Sequence, residues 1–112
     1  MSITVLAATS VGGGTPTVTS AAQTFAKSGI VRARAAVTAL AAPSSPLTVA
    51  IQTSPDGTTY TTVETQVVDF TAPNDFEQDF PLGKYSTGSL TNYKVVFACA
   101  GSPPVTVSAT QD

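Results

Sequence analysis

The ionisable side chains fall into two small groups whose spacing limits the chemistry they could do. Asp75, Glu77 and Asp79 occupy alternate positions. On a strand, alternate residues share a face, so three carboxylates would line up there, and such oxygens suit Ca²⁺ or Mg²⁺. The same spacing also describes a solvated or edge-strand face, where charges discourage pairing with other chains. The second reading is the stronger, because nothing beside these acids supplies the cleft and tuned acidity that paired-carboxylate hydrolysis needs. Arg32 and Arg34 share a face by the same rule. They can pair with the acidic strand or with an acidic patch on a partner, and the intramolecular pairing is favoured.

The remaining chemistry is excluded more simply. The chain has no His, which removes the commonest general base and metal ligand and with it the Ser-His-Asp and Cys-His arrangements. Gly12-Gly13-Gly14 lacks the following Gly-Lys-Ser/Thr of a phosphate loop and reads as part of a flexible arm. Asp56-Gly57 lacks the other ligand positions of a calcium loop and reads as turn chemistry. Cys99, the single cysteine, lies in an apolar run without neighbouring cations, so it is expected as a buried, inert thiol. No cofactor or metal site emerges, and the chain is not expected to be an enzyme.

These residues sit in 112 residues, enough for one domain with a real core. Charge is scarce: 11% of residues are Asp, Glu, Lys or Arg, against roughly 25% in an ordinary soluble domain. Net charge is −2 and mean hydropathy +0.20. Either the surface is rich in hydroxyls, or partners cover much of it. The negative balance, with only two arginines close together, argues against nucleic acid. The first residues lack a basic segment followed by an apolar one, so secretion is not expected. The apolar run 30–42 carries two Arg and is too short to span a membrane.

Period-two alternation dominates the elements that must position these groups. Ile3 and Val5 alternate with polar neighbours, and the three glycines then interrupt the chain. Residues 1–15 are expected as a flexible or extended arm and 16–112 as the folded domain. One or two short strands are expected between Val18 and Phe25. Composition favours a helix over 30–40, but Val31, Ala33, Ala35 and Val37 on one face, against Arg32, Arg34 and Thr38, favour a strand. Leu47, Val49 and Ile51 lead into Ser54-Pro55-Asp56-Gly57, a turn in which Pro presets φ, Asp accepts a local bond and Gly takes positive φ. Further strands follow at 59–70, 75–82, 90–100 and 105–110. About eight short antiparallel strands imply an all-β fold, a single β-sandwich or jelly-roll-like domain, with non-local pairing of its ends. Jelly-roll and immunoglobulin-like strand orders both remain open at this point.

Two segments carry a family resemblance. In 47–63 a strand ends in Ser54-Pro55-Asp56-Gly57 with Tyr60 three residues after the glycine; in 93–108 two strands flank Gly101-Ser102-Pro103-Pro104. Together they resemble small β-sandwich virion proteins of tailed bacteriophages, the capsid decoration or cement proteins. The turn also looks like that of discoidin-type glycan-binding sandwiches, which usually carry Trp where this chain has Tyr60. The phage resemblance implies a structural protein on the exterior of the mature head, assembled in the host cytoplasm. It also implies the major capsid protein as partner, frequent trimerisation, and no catalytic residue. A tail or fibre-base component and a glycan-binding module are the alternatives. Because function concentrates in loops, Gly12, Gly13, Gly14, Pro43, Asp56 and Pro103 are the candidate contact residues.

Overall fold

A computed structural model describes residues 3–36, 46–68, 75–86, 88–101 and 105–112. It is an all-β sandwich. The strands are β1 (Ile3–Val11), β2 (Thr17–Thr19), β3 (Gln23–Thr24), β4 (Ile30–Ala36), β5 (Leu47–Ser54), β6 (Thr61–Val68), β7 (Asp75–Pro81), β8 (Asn92–Ala98) and β9 (Val105–Gln111), with a short 3-10 helix at Leu82–Tyr85 between β7 and β8. One sheet has the order β1-β9-β4-β7; the other has β2-β8-β5-β6, with β3 also on β8.

The pairing has one generating rule. Partners fall symmetrically about the turn at Asp56-Gly57: Thr53 with Thr61, Leu47 with Val68, Ala36 with Asp75, Ile30 with Pro81, Gln23 with Tyr93, Thr17 with Ala98 and Ile3 with Gln111. The chain is one long antiparallel hairpin, wrapped so that successive stretches alternate between two sheets. That is the jelly-roll order, and it resolves the choice the spacing left open. Residues 1–15, expected as an arm, contain β1, which lies against β9 at a sheet edge.

Alternation builds the core. Val31, Ala33 and Ala35 of β4 point inward and are buried, which settles this segment as a strand; its expected continuation beyond Ala36 lies outside the described residues. Sheet one offers small inward side chains, among them Ala33, Ala35, Val107 and Ala109, while sheet two offers Leu47, Ile51, Tyr93 and Phe97. Small against large fills the roughly 10 Å between packed sheets. Cys99 is buried with them, as expected of an inert thiol. The 3-10 helix contributes Leu82 and Tyr85 to the same core. Gly83 is required there, since a Cβ would stand 2.8 Å from the backbone carbonyl of Lys27.

Candidate interaction surface

Among the described strand residues, charge is concentrated on the outer face of sheet one. On sheet one, Arg32 and Arg34 of β4 stand beside Glu77 and Asp79 of β7. The Arg32 Nε donates to Asp79 Oδ1 at 2.9 Å, and Arg34 Nε lies 2.8 Å from Glu77 Oε2. The guanidinium of Arg32 holds the Asp79 carboxyl below its ordinary range, and the carboxylate raises Arg32 in turn. The intramolecular pairing favoured by the sequence is therefore the one formed. These acids are the charge cover of an edge strand. Exposed pairs of this kind add little stability.

The outer face of sheet two is different. Thr48, Ala50 and Gln52 of β5 lie beside Val96, Ala98 and Lys94 of β8, with Thr65 and Val67 of β6 and Thr17 and Thr19 of β2 to either side. Lys94 is the one charged residue in this set, and its Nζ sits 4.3 Å from the centroid of the Tyr60 ring, in cation–π range. That contact covers the ring, and the Tyr60 hydroxyl is enclosed with no hydrogen-bond partner among the described residues. Tyr85 is in the core, where burial first and then Glu64 push its hydroxyl up to about 12. The exposed large apolar residues among those described are Ile3, Ile30, Val63 and Val67, none aromatic. Neither Tyr60 nor Tyr85 thus presents the stacking platform that sugar binding uses.

The two predicted contact turns that the structure describes lie at opposite ends of the sandwich. Gly12 and Thr15 exchange backbone hydrogen bonds of 2.6 and 3.1 Å, and the Gly13 amide donates to the Gly101 carbonyl at 2.9 Å. The glycines expected in a loose arm instead form a closed turn, because positive φ at Gly12 and Gly13 lets the chain reverse tightly. Pro43 and Pro103 lie outside the described residues. Asp56 sits at the opposite end from the glycine turn, as the pairing order requires. Its Oδ1 accepts from the backbone amides of Thr58 (2.8 Å) and Thr59 (2.9 Å) and from the Ser54 hydroxyl (2.9 Å). These donors, Thr59 foremost, hold the carboxyl below its ordinary range.

Ser20 is a structural residue that the sequence did not single out. It is buried between β2 and β3, where its amide donates to the Val95 carbonyl (2.9 Å) and its Oγ accepts from the Val95 amide (3.0 Å). One side chain thus replaces a backbone rung and divides what would be a single strand into two. A serine in a Ser/Thr-rich stretch carries no sequence signal that marks it for this role.

A shallow depression of about 350 Å³ lies at the sheet-one end near Arg34, Ala36, Asp75, Glu77, Thr106 and Ser108. It mixes both charges, and the described residues contain no cluster of three or more His, Cys, Asp or Glu able to hold a metal ion.

No protein-family model and no curated protein matches the chain. Solved structures do. The chain is similar to a chain in the structure of infectious bursal disease virus, Gx strain, with 17% identity and a TM-score of 0.56, covering 99% of this chain and 30% of that one. A chain of the Gt strain gives 16% identity and 0.51, covering 99% and 32%. The VP2 subviral particle of the same virus gives 18% and 0.52, covering 99% and 31%. This chain therefore spans less than a third of the length of those viral chains, and what it shares with them is the fold, a β-sandwich found in virion proteins.

Proposed function

We propose that this protein is a virion structural component, a decoration (cement) protein that binds the exterior of a tailed-phage head. The observation that carries the reading is the likeness, over 99% of the chain, to a chain of a virus particle. The Ser54-Pro55-Asp56-Gly57 and Gly101-Ser102-Pro103-Pro104 segments, with their resemblance to phage decoration proteins, narrow it to heads. The faces supply a mechanism. Sheet one turns its charges to solvent, while the Thr-, Ala- and Val-rich face of sheet two meets the major capsid protein. Laying down a face with so few charges avoids the desolvation cost of buried ions. A contact of about 1,000–2,000 Å² suffices for specific attachment. Self-association, as the trimer that the family resemblance implies, would combine several such contacts into one avid attachment. Assembly in the host cytoplasm follows from the same reading, as does the absence of catalysis, cofactor, nucleic acid or membrane from the role.

The test is co-sedimentation of purified protein with expanded heads that lack it. Saturation at a fixed copy number is expected, together with greater resistance of the heads to heat. Ala50→Glu places a carboxylate in the middle of the sheet-two face and is expected to weaken binding at least about tenfold, because one unpaired charge is desolvated. Folded protein that ignores heads but binds tails would move the role to a tail or fibre-base component. Binding to neither would end the virion reading.

A further inference from the structure

Among the described residues, the four sheet edges are protected unequally. β7 carries Asp75, Glu77 and Asp79 and ends in Pro81. β2 and β3 are three and two residues long. β1 is broken by register shifts between Thr4 and Leu6 and between Leu6 and Thr9. Charge, shortness and irregularity are the usual means by which edges avoid pairing with other chains. β6 has little of this protection. It is eight residues long, contains no Gly, Pro, Lys or Arg, and pairs regularly with β5 from Glu64 to Val68; its one irregularity falls at Val63. Glu64 is its one charge, and that carboxylate shares the inward face with Ile51, where the Tyr85 hydroxyl (3.2 Å) and Lys84 Nζ (3.5 Å) hold it. Two of the four exposed large apolar residues described, Val63 at 36% and Val67 at 54%, lie on this strand.

The order of residues along β6 indicates what would cover it. Val63 and Val67 are equidistant from Thr65. An antiparallel copy of the strand, related by a two-fold axis at Thr65, sets Val63 against the partner's Val67, Thr65 against the partner's Thr65, and Glu64 against the partner's Gln66. Each is a favourable cross-strand pair, and the axis generates two valine pairs, one hydroxyl pair and two carboxylate–amide pairs. An axis at Glu64 would oppose two carboxylates, and an axis at Gln66 would set Glu64 against a valine. We propose that β6 is a self-recognition edge that pairs with β6 of a second copy about a two-fold axis at Thr65. The contact is isologous, so one surface serves both partners. Main-chain hydrogen bonds supply attraction, and the valines and Glu64 set the register. The second sheets of two molecules become one continuous sheet, and their charge-poor outer faces run together across the axis. The inference does not depend on the virion reading. If the chains also form trimers, the edge joins one trimer to another.

Disulfide trapping tests it on the full chain. A two-fold axis brings a residue opposite its own copy, and directly opposed residues of antiparallel strands stand about 4.5–5.5 Å apart at Cα, within disulfide range. Thr65→Cys is expected to form a covalent dimer on mild oxidation, whereas Thr19→Cys, on the exposed edge strand β2, is not. Cys99 is 1% exposed and does not compete. Light scattering is expected to give an even number of copies for the unmodified chain. Val67→Lys, at an already exposed position, is expected to weaken association at least tenfold with an unchanged far-UV spectrum. A protein that stays monomeric up to roughly 1 mM, or a trimer in which the Thr65→Cys variant does not cross-link, would overturn the proposal. Association unaffected by Val67→Lys would do so as well.

Discussion

Two tyrosines carry the most consequential polar atoms in the core. Tyr93 is fully buried, and its hydroxyl donates to Gln111 Oε1, tying β8 of one sheet to β9 of the other. Burial pushes the Tyr93 hydroxyl up to about 12, and burial with the nearby Glu64 carboxylate does the same for Tyr85. An unfolded chain releases these protons near the ordinary value of about 10. Between about 10 and 12 the folded state therefore binds more protons than the unfolded one, and stability falls as pH rises. Their contribution is fully present below about pH 10 and is lost through that window. Urea midpoints measured from about pH 8 to 12 are expected to fall above about pH 10, in step with the rise of phenolate absorbance. Tyr93→Phe should remove part of that slope. A midpoint that stays level across the whole range would contradict this account.

At the scale of elements, the β5–β6 hairpin is the best-specified unit. Ser54 is fully buried at its end, and its Oγ accepts from the amides of Asp56 (3.2 Å) and Gly57 (2.8 Å). Its carbonyl accepts from the Thr91 amide at 2.9 Å, so the turn is fastened to the segment leading into β8. Gly57 has φ of 79°, a conformation other residues adopt at a cost. Ser54→Ala leaves two amides without their acceptor and is expected to cost about 1–3 kcal/mol in chemical denaturation. Because the turn is the one place among the described residues where long strands pair locally, most of that loss should appear as slower folding, a φ-value of about 1. A normal folding rate with faster unfolding would place the nucleus elsewhere. This hairpin was legible in the sequence because alternation and turn chemistry agree over 47–65. The split between β2 and β3 was not, because it depends on Val95, a residue 75 positions from Ser20.

For the molecule as a whole, every pairing among the described residues other than β5–β6 and the Gly12–Thr15 bridge joins segments far apart in the chain. Each must repay the entropy of closing a long loop before its contacts form. Refolding is therefore expected on the millisecond-to-second scale typical of non-local β folds, observable by stopped-flow tyrosine fluorescence; completion within microseconds would be inconsistent with this topology. The roll also decides where function can sit. It collects charge on one outer face and leaves the other nearly uncharged. It places the Gly12–Gly14 turn and the Asp56 turn at opposite ends, so these two predicted contacts cannot form one patch.

Local sequence was enough to establish that the protein is β throughout, where most strands lie, which side chains enter the core, and that His-based chemistry is excluded. All of these follow from alternation, turn residues and composition, which act over a few positions. The jelly-roll order, the closed glycine turn, the Arg32–Asp79 and Arg34–Glu77 pairs and the edge position of β6 among the described strands emerged with the assembled sheets. Each depends on which distant strands become neighbours. A period-two pattern tells a strand which face to bury and carries no information about the strand beside it.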